Sequence, residues 1–294
     1  MTLPFVTIVT PSYNQGRFIR ATIESVLEQD YPRIEYLVID GGSTDESVPI
    51  LREYSDRLRW VSEPDHGQAH AINKGWRQAR GSILAYLNSD DLYMPGAVAQ
   101  AVAVLVAHPE AAGVYGEGYH VDQEGRILER YPTEPFDVDR LRETCFICQP
   151  TVFLRRDAID SAGLLDESLR YCMDYDLWIR LARAGRILTY TPHHLASTRL
   201  HADAKTLGQR RPAHAEILKV VRRHFGRVTP SLVYGHAHAV LGLQNRDPSS
   251  LDRLALIGIS FATFLRYNRS VPRSAWSLWW LWLNDSVREA RAGR

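Results

Sequence analysis

The residues with the most chemistry in them stand at 85–95, AYLNSDDLYMP. Ile83 to Leu87 is a short apolar run that reads as a buried strand. It stops abruptly at Asn88, Ser89, Asp90 and Asp91, and Pro95 is expected to open the next helix. Two adjacent carboxylates repel, so such a tip is costly unless a cation or hydrogen-bond donors neutralise it. Carboxylates and an amide oxygen at a strand end are hard ligands, suited to Mg²⁺ or Mn²⁺ that a diphosphate also ligates. The plainer reading is a turn followed by a helix N-cap, where Asp and Asn are favoured anyway. The surrounding elements decide between the two.

Those elements alternate. Residues 5–10 form an apolar strand, 11–17 carry turn chemistry, and 18–29 show helical periodicity through Ile19, Ile23, Val26 and Leu27. Residues 36–40 are a second buried strand ending in Asp40. GGSTDES follows, with Ser43 and Glu46 spaced as a capping box for a helix reaching Tyr54. A third strand (58–62), the loop EPDHGQ and a helix over 69–79 lead into the opening stretch. Strands and helices at this pitch imply an α/β fold with a doubly wound, mostly parallel sheet flanked by helices. Ligands of such sheets bind beyond the carboxyl ends of the strands. The polar clusters Thr10–Asn14, Asp40–Asp45, Glu63–Gln68 and Asn88–Asp91 all fall there, which favours one site over four unrelated turns. Neither GxGxxG nor GxxxxGK[ST] is present, which argues against a dinucleotide dehydrogenase or a P-loop phosphotransferase.

Further along, 113–122 and 125–132 read as a strand and its hairpin partner in a mixed sheet, 133–149 as irregular, and 149–156 as another strand. A short helix at 157–162 precedes MDYDLWIRLARAG, a helix with Asp174 in its first turn and Gly185 at its C′ position. A strand at 187–191 gives way to 196–206, a polar stretch without strong local preference. From about residue 209 the pattern is helical only, which divides the chain into a catalytic-type domain, 1–206, and an all-helical C-terminal extension, 207–294. In the last helix Trp276, Trp279, Trp280 and Trp282 crowd among leucines.

Composition is that of a globular protein, 45% hydrophobic and 23% charged. The formal charge of +1 conceals an asymmetry: residues 205–294 carry 15 Lys and Arg against 5 Asp and Glu, whereas 1–204 carry 20 against 29. An acidic body can hold a metal, and a basic tail suggests an anionic partner such as a phospholipid surface or is simply a solvated face. Nucleic acid is not an expected partner, because the acidic body lacks a basic, aromatic groove. Cys145 and Cys148 have CxxC spacing, but Cys172 is single and no histidine pair completes a zinc set, so buried reduced thiols are expected. Residues 1–4 have neither a basic start nor an apolar core, and no uncharged apolar run reaches the ~18–20 residues of a spanning helix. The expected location is the cytoplasm, with peripheral contact at the inner membrane face through the Trp/Arg-rich last helix. An intramolecular or dimer contact is the competing use of those tryptophans.

Five stretches taken together, TPSYNQ (10–15), DGGSTDES (40–47), SEPDHGQAHAINKG (62–75), LNSDD (87–91) and MDYDLWIR (173–180), resemble the family 2 glycosyltransferases of GT-A fold, in the family's motif order over residues 5–206. The resemblance implies transfer of a sugar from a nucleotide-sugar donor, with inversion at the anomeric carbon and a divalent metal, Mg²⁺ or Mn²⁺. The acceptor would be a glycan or lipid-linked molecule of cell-envelope polysaccharide synthesis. Carried over residue by residue, Thr10, Pro11, Tyr13, Asp40, Asp65, Gly67, Asn73, Asn88, Ser89 and Asp90 are candidate donor-binding positions. Asp90, Asp91 and His201 are candidate metal positions. Asp174 is the candidate base for the acceptor hydroxyl, with Asp176 as fallback. The alternative for Asp174 is an aspartate that merely complements the helix dipole. Arg199 accompanies His201 near the expected diphosphate, Gln149 and Pro150 fall on the expected acceptor side, and His66 is expected in solvent. Gly41 stands where many relatives carry a second acid, Asn88 where the first acid of Asp-x-Asp often lies, and Met173 where a Glu is common. Those departures keep a non-catalytic binding module in play. A sugar nucleotidyltransferase would want a richer Gly and Arg/Lys loop than PSYNQGR.

Overall fold

The computed structural model describes residues 3–201, 208–243 and 247–292, with side chains as far as 284. It divides into two compact units, Met1–Asp137 with Phe146–Ala204, and Val138–Cys145 with Lys205–Arg294.

The first unit is built on a sheet of nine strands among the described residues. Strands β1 (Val6–Ser12), β2 (Ile34–Asp40), β3 (Arg59–Ser62) and β4 (Ile83–Tyr86) are parallel, in the order β3-β2-β1-β4. The remainder is mixed. β8 (Phe153–Arg155) runs antiparallel to both β4 and β6 (Gly113–Val121), and β9 (Leu188–Arg199) runs parallel to β6. The two-residue β5 (Leu92–Tyr93) closes the far edge on β9, and β7 (Ile127–Arg130) pairs β6 as the expected hairpin.

β1 is buried along its whole length, which is why VTIVTPS carries no charged residue, and the hydroxyls of Thr7 and Thr10 pair with Glu35 and Tyr36. Helix α1 (Ile19–Leu27) turns Ile19, Thr22, Ile23 and Val26 toward the core, the i, i+3, i+4, i+7 stripe. α2 (Ser47–Glu53) and α3 (Gln68–Gln78) follow. α3 comes so close to β1 that a Cβ on Gly75 would stand 2.5 Å from Val9 Cγ1, so only glycine fits there. α4 (Ala97–Ala107) packs Ala97, Val98, Ala101, Val102 and Leu105 into the cluster formed by Val6, Ile8 and Val38. α5 (Arg156–Ala162) and α6 (Met173–Arg183) complete this unit. α6 closes in a Schellman turn, with Gly185 at φ +69° donating to Ala182 O and Arg186 donating to Leu181 O.

The second unit holds α7 (Arg210–Phe225), α8 (Pro230–Leu241), α9 (Ser250–Asn268) and α10 (Arg273–Ala292). α8 starts with Pro230 in its first turn, and α9 starts with a reciprocal capping box between Ser249 and Asp252. Tyr234 of α8 makes edge contacts with Phe264 of α9 and Trp282 of α10, at ring separations of 6.2 and 5.5 Å.

Four local expectations are corrected. Pro95 does not open a helix: α4 begins at Ala97, after Gly96 in the left-handed region at φ +74°. Ser43 and Glu46 form no capping box, since the Ser43 hydroxyl donates to Asp40 instead. Residues 196–199, expected to be irregular, continue β9, because β6 and β5 supply hydrogen-bonding partners on both sides. Residues 149–151 form a 3₁₀ turn ahead of β8 instead of extending it. None of the three cysteines is disulfide-bonded; Cys148 and Cys172 are buried and Cys145 is half-buried.

Candidate active site

The four parallel strands bring their carboxyl ends to one edge. There Gly41 N donates to Ser12 O, Glu63 N to Asp40 O and Leu87 N to Val9 O, which fixes where each loop departs. Three hydrogen-bonded sets form beyond that edge.

The first set joins the loops after β1 and β2. Asn14, held at φ +51°, accepts from Thr44 N through Oδ1 (2.9 Å), and its own N–H donates to Ser43 Oγ (2.7 Å). Gln15 N donates to Ser47 Oγ and Gly16 N to Asp45 Oδ2, at 2.9 and 2.8 Å. This lacing leaves Tyr13 standing out with 61% of its surface exposed, whereas Thr10 is fully buried with its hydroxyl 3.0 Å from that of Tyr36, and Pro11 is buried beside it.

The second set surrounds Asp40. Its carboxylate, wholly buried, accepts from Gly42 N, Ser43 N, Ser43 Oγ and Ser62 Oγ at 3.1, 2.8, 2.5 and 2.6 Å. Four donors compensate the buried charge. Asp40 therefore shapes its loop rather than presenting an open acceptor. The carboxylate next to that loop comes from Asp65. Its Oδ2 lies only 2.8 Å from where a Cβ on Gly41 would be, and its Oδ1 accepts from Gly67 N at 2.7 Å. The space that a second acid at 41 would take is thus filled from the loop after β3.

The third set is the acidic tip. Asn88 Oδ1 accepts from Gln68 Nε2 (2.6 Å), and its Nδ2 donates to Asp91 Oδ2 (3.0 Å) and Gln149 Oε1 (3.2 Å). Gln149 in turn donates to Tyr86 O at 3.0 Å. Thr22, from the buried stripe of α1, donates its hydroxyl to both Ser89 O (2.9 Å) and Asp91 O (2.8 Å). Asp91 is buried, and Arg199 N donates to its Oδ1 at 3.1 Å. Burial first, and the neighbouring Asp90 charge second, hold its carboxyl well above the ordinary range. Asp90 is the open member of the pair: its side chain is 22% exposed and its Oδ2 lies 2.9 Å from His201 Nε2. Arg199 spans the set from β9, donating to Asp90 O (3.0 Å) and to Asp122 O and Gln123 O (3.2 and 2.5 Å). Phe18 lies under both side chains, with the Arg199 guanidinium 5.1 Å and the His201 ring 4.8 Å from its ring.

Other expected site residues fall elsewhere. Asn73, expected on the donor side, is buried in α3 and holds the loop before α6. It donates to Leu165 O and Glu167 Oε1 at 2.9 and 2.8 Å and accepts from Leu165 N at 3.0 Å. Its primary amide can satisfy a backbone C=O and N–H at once, which explains the residue without a ligand. Asp176, the fallback base, is 1% exposed and paired with Arg180 at 2.7 Å, whose guanidinium also holds the carbonyls of Ala162, Gly163 and Leu164. Asp174 stands half-buried in the first turn of α6, with Oδ1 accepting from Tyr175 N at 2.8 Å. His66 is exposed, as expected. Thr22, Phe18 and Ser62 were not anticipated. Thr22 had a signal, being a hydroxyl on the apolar stripe of α1 that burial obliges to find acceptors.

A parallel half-sheet running into a mixed half, with an acidic tip at the end of the inner strand, is the organisation of a GT-A glycosyltransferase. The model described as Glycosyl transferase family 2 matches residues 7–163, and the chain belongs to that family. Among its relatives is the uncharacterized glycosyltransferase RP339 of Rickettsia prowazekii (strain Madrid E), 30% identical over 217 residues, covering 69% of this chain and 66% of that protein. Another is a chondroitin synthase of Escherichia coli, 28% identical over 186 residues, covering 62% of this chain and 27% of the relative. This chain therefore corresponds to just under two thirds of the one and about a quarter of the other. Solved structures of the same fold include S. aureus TarS 1–349 in complex with UDP, with TM-score 0.62 and 15% identity over 99% of this chain and 92% of that one. The mannosyltransferase PcManGT of Pyrobaculum calidifontis, in complex with GDP-Man and Mn²⁺, has TM-score 0.61 and 19% identity over 98% and 85%.

Proposed function

We propose that this glycosyltransferase moves a sugar, with inversion, from a nucleoside diphosphate sugar to a glycan or lipid-linked acceptor in the building of a cell-envelope polysaccharide. The observation that carries the reading is the third hydrogen-bonded set. It holds one carboxylate, Asp90, open beside an imidazole at the end of a strand, and braces it by Asp91, Asn88, Arg199 and Thr22. The nucleotide complexes of the two solved structures and the name of the chondroitin synthase support the donor and product classes.

Asp90 and His201 would hold a divalent ion. The carboxylate oxygen suits Mn²⁺ or Mg²⁺ and the imidazole nitrogen fits Mn²⁺ better than Mg²⁺; no third His, Cys, Asp or Glu joins them among the described residues, so the donor diphosphate must supply further oxygens. When bound, that ion neutralises charge on the departing nucleoside diphosphate. The exposed Tyr13 ring offers a face for the base, and Asp65, anchored on Gly67, offers an acceptor for its N–H groups or for the ribose. Asp40 keeps the loop between them in shape. Asp174, at the start of α6, takes the proton of the acceptor hydroxyl as it attacks the anomeric carbon. Asp174→Asn should fold and bind donor like wild type while transfer falls by about 10²–10⁴-fold, the worth of a general base. Near-normal turnover in that variant, followed by product chromatography, rules Asp174 out as the base.

A further inference from the structure

We propose that the outward face of the last two helices docks on an anionic lipid bilayer. Both helices already bury one apolar side. Leu256 and Phe264 of α9 and Ala275 and Trp279 of α10 are buried, and Trp279 lies 6.1 Å from Phe264, ring to ring. A helix that buries one stripe in a globular protein ordinarily turns polar side chains to water on the other. These two do not. α9 exposes Leu251 (78%), Leu254 (48%), Phe261 (40%) and Leu265 (44%), positions that fall on one line along a 3.6-residue helix. α10 exposes Trp276 (56%), Trp280 (66%) and Leu283 (42%) at i, i+4 and i+7, with Leu281 beside them at 52%. Phe261 meets Trp276 at a ring separation of 6.4 Å, so the two lines join into one strip. Trp276, Ser277, Trp280 and Leu281 line a shallow open depression in it.

Charge selects the occupant. Arg266, Arg269 and Arg273, all exposed, cluster around the α9–α10 turn at one end of the strip. Between Ser250 and residue 284 the sequence has a single acid, Asp252, which is engaged by the Ser249 cap. Indole rings favour the headgroup level of a bilayer, and each arginine near an anionic surface adds attraction. In a two-fold contact with a second copy the same arginines would be drawn together, and like charges oppose that. No helix among the described residues is long and apolar enough to cross a membrane, so the contact is peripheral.

The test is flotation of the full chain with phosphatidylcholine vesicles, with and without phosphatidylglycerol. The wild type should float with the anionic vesicles and be released by high salt. Trp276→Ser/Trp280→Ser should stay behind while its circular dichroism and sugar transfer match wild type, its melting temperature falling only slightly because Trp276 also packs on Phe261 and Trp279. Arg269→Gln and Arg273→Gln should each weaken binding by about fivefold. Three results overturn the proposal. They are a wild type that ignores anionic vesicles, a double-tryptophan variant that floats equally well, and a stable dimer by light scattering that the double-tryptophan variant dissolves.

Discussion

Thr22→Val tests the claim that α1 holds the acidic tip in place. Threonine and valine have nearly the same shape, so the change removes a hydroxyl and little else. That hydroxyl is buried and donates at 2.9 and 2.8 Å to Ser89 O and Asp91 O. In the variant both carbonyls lose this donor at a site water does not reach easily. Leaving buried acceptors unpaired costs about 1–3 kcal/mol. For a unit of this size that corresponds to a fall of roughly 2–10 °C in melting midpoint. The two carbonyls flank Asp90, so their movement also displaces the open carboxylate. A shift on the order of 1 Å at a reacting centre costs about 10²-fold in rate. Thr22→Ser, which keeps the donor and drops only a methyl group, should retain most of both properties. The assays are differential scanning fluorimetry and a nucleoside diphosphate release assay on the same preparations. If valine melts within a degree of wild type and turns over normally, or if serine is as damaging as valine, the bracing role of α1 is wrong.

Asp91→Asn probes the buried acid directly. Because the folded-state pKa of Asp91 lies above its unfolded value, its contribution to stability is complete below the ordinary carboxylate range and is lost as pH rises through the raised value. The melting temperature of the asparagine variant minus that of wild type should therefore increase from about pH 5 to about pH 8; a difference that is flat or falls with pH contradicts the burial. Gly41→Ala should lower stability only modestly, by about 1 kcal/mol, because the new Cβ meets the Asp65 carboxylate 2.8 Å away and turning it aside breaks its bond to Gly67 N. Donor affinity by calorimetry should nevertheless weaken by roughly tenfold or more as Asp65 turns aside, about the worth of one hydrogen bond to a charged group; unchanged affinity separates Asp65 from the base. Chelation should stop transfer and added Mn²⁺ restore it, with His201→Ala needing a higher metal concentration for half-maximal rate. Full activity in excess chelator removes the metal from the reaction.

The parallel half of the sheet was legible because its signal is local. Each buried strand is an apolar run ending in polar turn residues, and α1 and α3 show plain helical periodicity. What could not be read depends on partners far along the chain. Residues 196–199 have little intrinsic preference and become strand only because β5 and β6 lie on either side. Ser43 fits a capping box by spacing, yet the Asp40 carboxylate is the stronger acceptor within reach and takes its hydroxyl. Asn73 and Asp176 lie in motif positions and look like ligand residues. In the folded chain they hold carbonyls of the loop before α6, Asn73 directly and Asp176 through Arg180. Spacing alone cannot separate a side chain that holds a loop from one that faces a cleft. The acidic tip itself was visible, but which of its two carboxylates stays open is decided by Arg199, and that pairing has no sequence signature.

The long strand β9 has a consequence for how the enzyme is made. Its Arg199 N–H meets Asp91 across 108 residues of chain, and His201 reaches Asp90 across 111. During synthesis the acid pair is therefore complete, and still repelling, well before the Arg199 N–H and the His201 ring that steady it leave the ribosome. A fragment ending at residue 163, where the family match stops, would contain both acids and neither partner. Such a piece should form much of its sheet yet fail to assemble a working centre, so expression trials that trim to the matched segment would discard the half of the site that arrives last.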